Sequence, residues 1–259
     1  MPTQLHVEAT SPPGHKHDAR RCLLSRIASA SLAGALGVCI ATPVQAATYT
    51  IGVEDTDQPP MFYIVDGQYR GYGRELLDAF AATRGDHFEY VALPIKRLYQ
   101  QYFQGKSLDF KFPDSPDWHP DGRQALSLSY SASTYDVTAG LMVRRTRLGL
   151  PIESVRELGT LRGFTPWLFA RQINTGSLRV NESQNTENLM HQIQLGRLDA
   201  AYVNIDFSKS SLHKMGLDGE IVYDPNLPHA TIALRMSTLH HPEVLKDFDE
   251  FLRRETGLQ

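Results

Sequence analysis

The chain has 259 residues, of which 41 % are hydrophobic and 21 % are charged, a composition typical of a globular protein rather than a disordered segment. Its 26 lysines and arginines against 29 aspartates and glutamates give a formal net charge of −3. No long basic run is present, so we expect no nucleic-acid partner.

The N-terminal segment, residues 1–46, has the pattern of a secretion signal. Arginines precede an uncharged apolar run over 27–40, and Val44-Gln45-Ala46 offers small residues where a signal peptidase reads the chain. The run is shorter than the roughly twenty residues of a membrane-spanning helix. We therefore expect cleavage after Ala46 and a periplasmic protein. The pair Arg20-Arg21 also resembles a twin-arginine signal, so the export route stays open between that and general secretion.

Both cysteines, Cys22 and Cys39, lie inside the predicted signal. After its removal we expect no disulfide, no thiol chemistry and no cysteine-ligated metal. His229, His240 and His241 do not have the spacing of metal ligands, so we predict neither a metal site nor a cofactor.

The first half of the remaining chain alternates predicted strands and helices. Apolar residues recur every three or four positions before Gly85 and before Gly105, which predicts two amphipathic helices. The predicted elements are a strand at 49–53, a helix at 75–84, a strand at 88–93, a helix beginning after Pro94, a strand at 110–112 and a strand at 137–144.

The second half repeats this organisation. A helix is predicted over 188–195, a strand over 199–204, an alternating strand over 231–235, and an amphipathic helix from Pro242 to a terminating Gly257. Residues 47–259 are enough for two lobes of about a hundred residues each.

One short sequence motif follows a predicted helix in each half of the chain. Gly105–Phe110 and Gly196–Ala200 each place a glycine, a cation and an aspartate between an amphipathic helix and an apolar strand. We therefore expect two similar α/β lobes with a ligand cleft near the carboxyl ends of their strands. Phe110 and Val203 should then lie in separate sheets. The predicted boundaries are lobe one at 49–143 plus 236–259, lobe two at 147–230, and hinge crossings at 144–146 and 231–235.

Several motifs, in the same order along the chain, resemble those of the family 3 periplasmic solute-binding proteins. They are Gln68-Tyr69-Arg70-Gly71-Tyr72 with Glu75-Leu76-Leu77, Gly105–Phe110, Tyr130-Ser131, Leu158–Gly163 and Gly196–Asn204. The resemblance implies a two-lobed, type II periplasmic-binding-protein-like α/β fold with a hinge and a central cleft. It also implies a monomer that captures a small polar solute, amino-acid-like or anionic, for an ABC permease in the inner membrane.

The chain departs from that family where amino-acid binders hold their ligand. The family's Thr-x-Thr-x-x-Arg segment clamps a carboxylate, whereas the corresponding loop, Asp114 to Arg123, lacks the threonines. Arg123 is also one residue away from its usual spacing to Tyr130. The family's ammonium-binding aspartate falls on Asn204, and Asp206 lies two residues further on. An ordinary α-amino acid is therefore only one of the ligands that the resemblance allows.

The candidate ligand-binding residues are aromatic or polar and, apart from Arg97 on a predicted helix, lie in or just after predicted strands or in loops. Tyr63 follows the first strand, and Trp118 and Trp167 stand in loops where each either covers a ligand or covers its own loop. Arg97 is either a carboxylate ligand or part of a solvated helix face. The full candidate set is Tyr63, Arg97, Phe112, Asp114, Trp118, Arg123, Trp167, Asn204 and Asp206.

Two other functions remain open. The chain carries no nucleophile elbow, zinc-protease helix or phosphate-binding loop, so we predict no catalytic residues. Some secreted proteins of the same fold nevertheless resemble cyclohexadienyl dehydratases, in which a cleft acid performs an elimination. Glu54, Asp55 and Asp114 are the residues that we expect near the cleft for such a role. The other possibility is a ligand-responsive partner of a membrane sensor.

Overall fold

The structure is a computed structural model that describes residues 46–118 and 120–256. The predicted signal, apart from Ala46 itself, and the predicted helix-ending Gly257 lie outside these residues. In the two ranges described, no helix is long and apolar enough to cross a membrane.

The described chain alternates strands and helices along most of its length. The strands are β1 Thr48–Glu54, β2 Tyr63–Val65, β3 Gln68–Arg70, β4 His87–Leu93, β5 Phe110–Asp114, β6 Ser129–Tyr130, β7 Tyr135–Arg144, β8 Glu157–Leu161, β9 Arg179–Ser183, β10 Ala200–Asn204, β11 Ile221–Tyr223 and β12 Ala230–Thr238. The α-helices are α1 Tyr72–Arg84, α2 Ile95–Phe103, α3 Pro120–Arg123, α4 Ala170–Asn174, α5 Thr186–Gln194, α6 Ile205–Met215 and α7 Pro242–Thr256.

Strand β12 belongs to two groups of strands. Its residues 230–234 pair antiparallel with residues 135–139 of β7, and its residues 235–238 pair with β5 and β6. The hydrogen-bonded path is therefore continuous, in the order β4-β1-β5-β12-β7-β10-β8-β9. It connects Phe110 with Val203, so the prediction that these two residues lie in separate sheets is wrong: β12 joins the two groups of strands.

The strand pairing bears on where the chain would cross between the two predicted lobes, whose boundaries stay a prediction. Strand β7 pairs antiparallel with β10 and with β11, two strands of the predicted lobe two, although residues 135–143 fall in the predicted lobe one. This pairing favours a first crossing before Tyr135 rather than at 144–146. The second predicted crossing, 231–235, contains the point where β12 changes partner.

The two glycine-terminated joins have the same local structure. Gly105 and Gly196 have φ values of 63° and 71°, the left-handed conformation that ends a helix. The helices before them bury the residues whose spacing predicts a helical face: Ile95, Leu98, Tyr99 and Tyr102 in α2, and Leu189, Met190 and Ile193 in α5.

An aspartate in each join holds the start of a neighbouring strand. The backbone N–H of Thr50 donates to Oδ2 of Asp109 over 2.7 Å, and the N–H of Asp109 donates to the carbonyl of Thr50 over 2.9 Å. In the second join, the N–H of Glu157 donates to Oδ2 of Asp199 over 3.0 Å, and the N–H of Asp199 donates back over 2.9 Å. The repeated motif therefore fixes the start of a neighbouring strand as well as ending the helix.

Candidate functional site

A cavity of about 50 Å³ lies where several strands end. Glu54 ends β1 and Asn204 ends β10, while Gly163 and Trp167 stand in the loop after β8. Carboxyl ends of strands form the ligand-binding edge in open α/β sheets. The lining residues are Glu54, Ile95, Tyr99, Asp117, Trp118, Ala139, Gly163, Phe164, Thr165, Trp167, Tyr202, Val203, Asn204 and Ile232.

Three of the predicted site residues, Trp118, Trp167 and Asn204, line this cavity. Trp118 is half-buried, whereas Trp167 is 37 % exposed. Asn204 is buried, and its Nδ2 donates to Oε1 of Gln58 over 2.9 Å. The position at which the family resemblance expects an ammonium-binding carboxylate thus carries a neutral amide with a partner inside the chain.

Tyr202 adds a polar group to the same wall. It lies two residues before Asn204, so both side chains project from the same face of β10. The residue is 4 % exposed, and its hydroxyl has no hydrogen-bond partner among the described residues. Burial raises the pKa of this hydroxyl to about 12. Buried polar groups in proteins normally have a partner, so this hydroxyl requires an explanation.

Arg123 lies beside the cavity but faces Asp114. Its Nη1 and Nη2 donate to the two oxygens of Asp114 over 3.1 and 2.6 Å. Nη1 also donates to the hydroxyl of Tyr130, Nη2 donates to the hydroxyl of Tyr99 over 3.4 Å, and Nε donates to the carbonyl of Trp118. All five N–H donors of the guanidinium are therefore used inside the chain.

Asp114 is fully buried at the centre of this cluster. Its carboxylate also accepts hydrogen bonds from Ser237 over 2.6 Å and from Tyr99 over 3.2 Å. Burial by itself would raise the pKa of Asp114, but Lys111, Arg123 and Ser237 together hold it below the usual value. Asp114 is thus a charged structural group that does not line the cavity.

Glu54 and Lys111 extend the cluster towards the cavity. The Nζ of Lys111 donates to the carbonyl of Pro113 over 2.5 Å and lies 3.4 Å from Glu54 and 3.6 Å from Asp114. Burial raises the pKa of Glu54, and the nearby ammonium of Lys111 only partly opposes that shift. Glu54 lines the cavity, as expected for a candidate cleft acid, whereas Lys111 lies behind the wall.

The other candidates do not line the cavity. Tyr63 pairs with Arg70 in the hairpin of β2 and β3, and Phe112 is 2 % exposed in the core. Arg97 is exposed on α2, the solvated-face alternative, and the exposed Asp206 pairs with Lys209 over 2.9 Å. In the described ranges, no group of three or more histidines, cysteines or carboxylates is placed to hold a metal ion.

No protein-family model matches the chain, and no curated protein sequence matches it. Solved structures match well. A histidine kinase sensor domain with similarity to periplasmic binding proteins is 19 % identical, with a TM-score of 0.65, over 81 % of this chain and 91 % of its own. An ArgBP mutant from T. maritima is 15 % identical, with a TM-score of 0.63, over 81 % of this chain and 90 % of its own.

A third match is ArtJ from Geobacillus stearothermophilus, described as an arginine-, lysine- and histidine-binding protein. It is 18 % identical, with a TM-score of 0.62, over 81 % of this chain and 90 % of its own. At such identities the likeness concerns the fold. The mixed α/β chain has the two-lobed fold of the periplasmic binding proteins, as the sequence motifs predict.

Proposed function

We propose that the protein is a periplasmic solute-binding protein that captures a small polar solute and presents it to an ABC importer. The observation that carries this proposal is the cavity at the strand ends, with the unpartnered hydroxyl of Tyr202 and the amide of Asn204 in its wall. The fold is shared with ArgBP and ArtJ, whose names state amino-acid ligands. In this proposal the signal is cleaved after Ala46, and the mature protein works as a monomer with an inner-membrane permease.

The sequence motifs are compatible with an amino-acid-like or anionic solute, but the geometry of the cavity gives little support to an anion. Arg97 is exposed and does not line the cavity, and the guanidinium of Arg123 donates its hydrogen bonds to Asp114 and neighbouring groups. A carboxylate in the cavity would therefore lack the arginine clamp that the family resemblance implies.

A thermal-shift screen of the purified mature protein against a metabolite panel tests the proposal. A solute that binds only the native state stabilises it by about 2.7 kcal/mol at a hundredfold excess over its dissociation constant. We expect at least one compound to raise the melting temperature and to be recovered unchanged. A panel of amino acids, amines, organic acids and sugars without a single stabilising compound would count against solute binding.

Glu54 favours a second candidate function, an enzyme on the same fold. A carboxyl that lines a cavity and whose pKa is raised by burial has the properties of a general acid. Product analysis of the stabilising compound separates the two functions. Conversion by wild-type protein but not by Glu54→Gln would support the enzyme.

The match to a histidine kinase sensor domain supports the third possibility, a ligand-responsive partner of a membrane sensor. Uptake of the identified solute by cells with and without the gene distinguishes this role from transport. Loss of uptake on deletion supports the importer, whereas unchanged uptake with an altered transcriptional response supports the sensor.

A further inference from the structure

We infer, building on the proposed solute-binding role, that the cavity takes a compact organic ammonium ion without a carboxylate group. Its charged wall residues, its aromatic lining and its free hydroxyl each favour this class of ligand.

The charges around the cavity favour a cation. Among the described residues, the charged side chains that line it are Glu54 and Asp117, and no lysine or arginine does so. The two nearest cations do not line it and already have carboxylate partners: Arg123 donates to Asp114, and Lys111 contacts Asp114 and Glu54 itself, which leaves Asp117 as the lining carboxylate that neither of them contacts. A ligand carboxylate would approach two acidic side chains with no free cation to neutralise it.

Asn204 supplies an acceptor in the same wall. Its Nδ2 uses one of two N–H donors on Gln58, which leaves the side-chain oxygen and the second N–H for a ligand. An ammonium ion or a hydroxyl on the ligand can donate to that oxygen, so this amide suits a cation.

The aromatic lining supplies surfaces that attract ammonium ions. Tyr99, Trp118, Phe164, Trp167 and Tyr202 all line the cavity. Aromatic ring faces are negative and bind cations, and cages of such rings recognise alkylated ammonium groups. Two of these rings already contact an ammonium group within the chain. The Nζ of Lys111 lies 4.5 Å from the ring centre of Tyr99 and 5.4 Å from that of Trp118.

The size of the cavity and the hydroxyl of Tyr202 limit the ligand further. About 50 Å³ of free space is several times the ~10–15 Å³ that one water molecule needs, so a group of a few non-hydrogen atoms fits. The buried hydroxyl of Tyr202, which has no partner in the described chain, would bond a polar group of that ligand. A small amino alcohol has both features.

Isothermal titration with matched probes tests this inference. Choline is compared with glycine betaine, in which a carboxylate replaces the hydroxymethyl group, and with 3,3-dimethyl-1-butanol, which keeps the shape but lacks the charge. Ethanolamine is compared with glycine in the same way. We expect choline or ethanolamine to bind at least about tenfold more tightly than its carboxylate or neutral counterpart, the factor that 1.4 kcal/mol of binding free energy provides.

Two tyrosine variants test where the cation binds. Tyr202→Phe removes the unpartnered hydroxyl, so we expect the affinity for the binding cation to fall between about twofold and tenfold. The melting temperature of the free protein should not fall, since no internal hydrogen bond is lost. Tyr69→Phe is the matched control, because its hydroxyl is also buried and unpartnered but the residue does not line the cavity. It should leave the affinity unchanged.

Two acidic variants test the charge. Glu54→Gln should weaken cation binding by about tenfold, because it keeps the shape of the side chain but leaves the nearby ammonium of Lys111 without this carboxylate, so the wall becomes more positive. If that variant does not fold, the exposed Asp117→Asn replaces it, and its effect should decrease as salt is added.

The outcomes separate this inference from the proposed function. If neither choline nor ethanolamine binds while an amino acid or an organic anion from the metabolite panel does, the inference is wrong and solute binding stands. If cations bind but Tyr202→Phe and Tyr69→Phe behave alike, the ligand binds elsewhere and the inference is also wrong. If no compound of the panel binds, both fail.

Discussion

The side chain of Asn204 donates a hydrogen bond to the side chain of Gln58 over 2.9 Å, and both residues are buried. This bond joins the end of β10 to the loop after β1, two segments 146 residues apart in the chain. It therefore ties together two strand ends that border the cavity. The amide at position 204 therefore stabilises the wall of the cavity.

We expect Asn204→Ala to lower the free energy of unfolding by about 1–3 kcal/mol, because the buried carbonyl of Gln58 loses its donor. Asp206→Ala is the matched control on the same segment. Its exposed pair with Lys209 should contribute less than about 1 kcal/mol. Urea denaturation measures both values, and equal effects would contradict a structural role for the Asn204 amide.

We expect Asp114→Asn to lower the free energy of unfolding at neutral pH by about 3–5 kcal/mol, because the variant leaves Arg123 and Lys111 buried without their shared carboxylate. The pKa of Asp114 is lowered in the folded state. Its stabilising contribution is therefore complete above the unfolded value of 3.8 and is lost as the pH falls through the lower folded value.

The stability difference between wild type and Asp114→Asn should accordingly shrink below about pH 4. Denaturation by urea at several pH values, from neutral to acidic, measures this dependence. Asp218→Asn, which removes an exposed carboxylate, is the control and should lower the free energy of unfolding at neutral pH by less than about 1 kcal/mol. A constant difference across the range would contradict the charged state assigned to Asp114.

We expect solute binding to shift the tryptophan emission of the protein to shorter wavelength. The chain contains 2 tryptophans, and Trp118 and Trp167 both line the cavity, where a bound solute excludes water from their rings. The variants Trp118→Phe and Trp167→Phe each leave one reporter, and each should retain part of the shift. A compound that stabilises the protein without changing the emission of either variant would bind outside this cavity.

We expect Gly71→Ala to lower the free energy of unfolding by at least about 3 kcal/mol. Gly71 has φ 105°, and a Cβ there would lie 2.6 Å from the carbonyl oxygen of Met61, which is backbone and cannot move aside easily. Gly67→Ala is the matched control, since Gly67 also has a positive φ, 72°, but meets nothing within 4 Å. It should cost only about 1–2 kcal/mol, the ordinary left-handed penalty. Thermal unfolding of both variants measures the difference.

Local sequence determined the secondary-structure elements of this protein and part of the lining of its candidate site. The helices before Gly105 and Gly196 follow from apolar spacing and from a residue that tolerates a left-handed backbone, both of which are properties of neighbouring residues. Trp118, Trp167 and Asn204 were predictable because polar or aromatic residues at strand ends and in loops face the ligand-binding edge. Tyr202 could have been predicted from the sequence as well, because it lies two residues before Asn204 and therefore on the same face of the strand.

The tertiary structure decided which charges meet. Nothing in the sequence around Arg123 predicts that its donors are all used inside the chain, on Asp114, Tyr99, Tyr130 and the carbonyl of Trp118. Lys111 lies between two phenylalanines of β5, a pattern that predicts an exposed side chain, yet Glu54 and Asp114 hold it fully buried. The pairing of β7 with β10 and the two-sided pairing of β12 likewise join distant segments. Such contacts depend on burial and charge compensation in three dimensions, and these are absent from the spacing of residues along the chain.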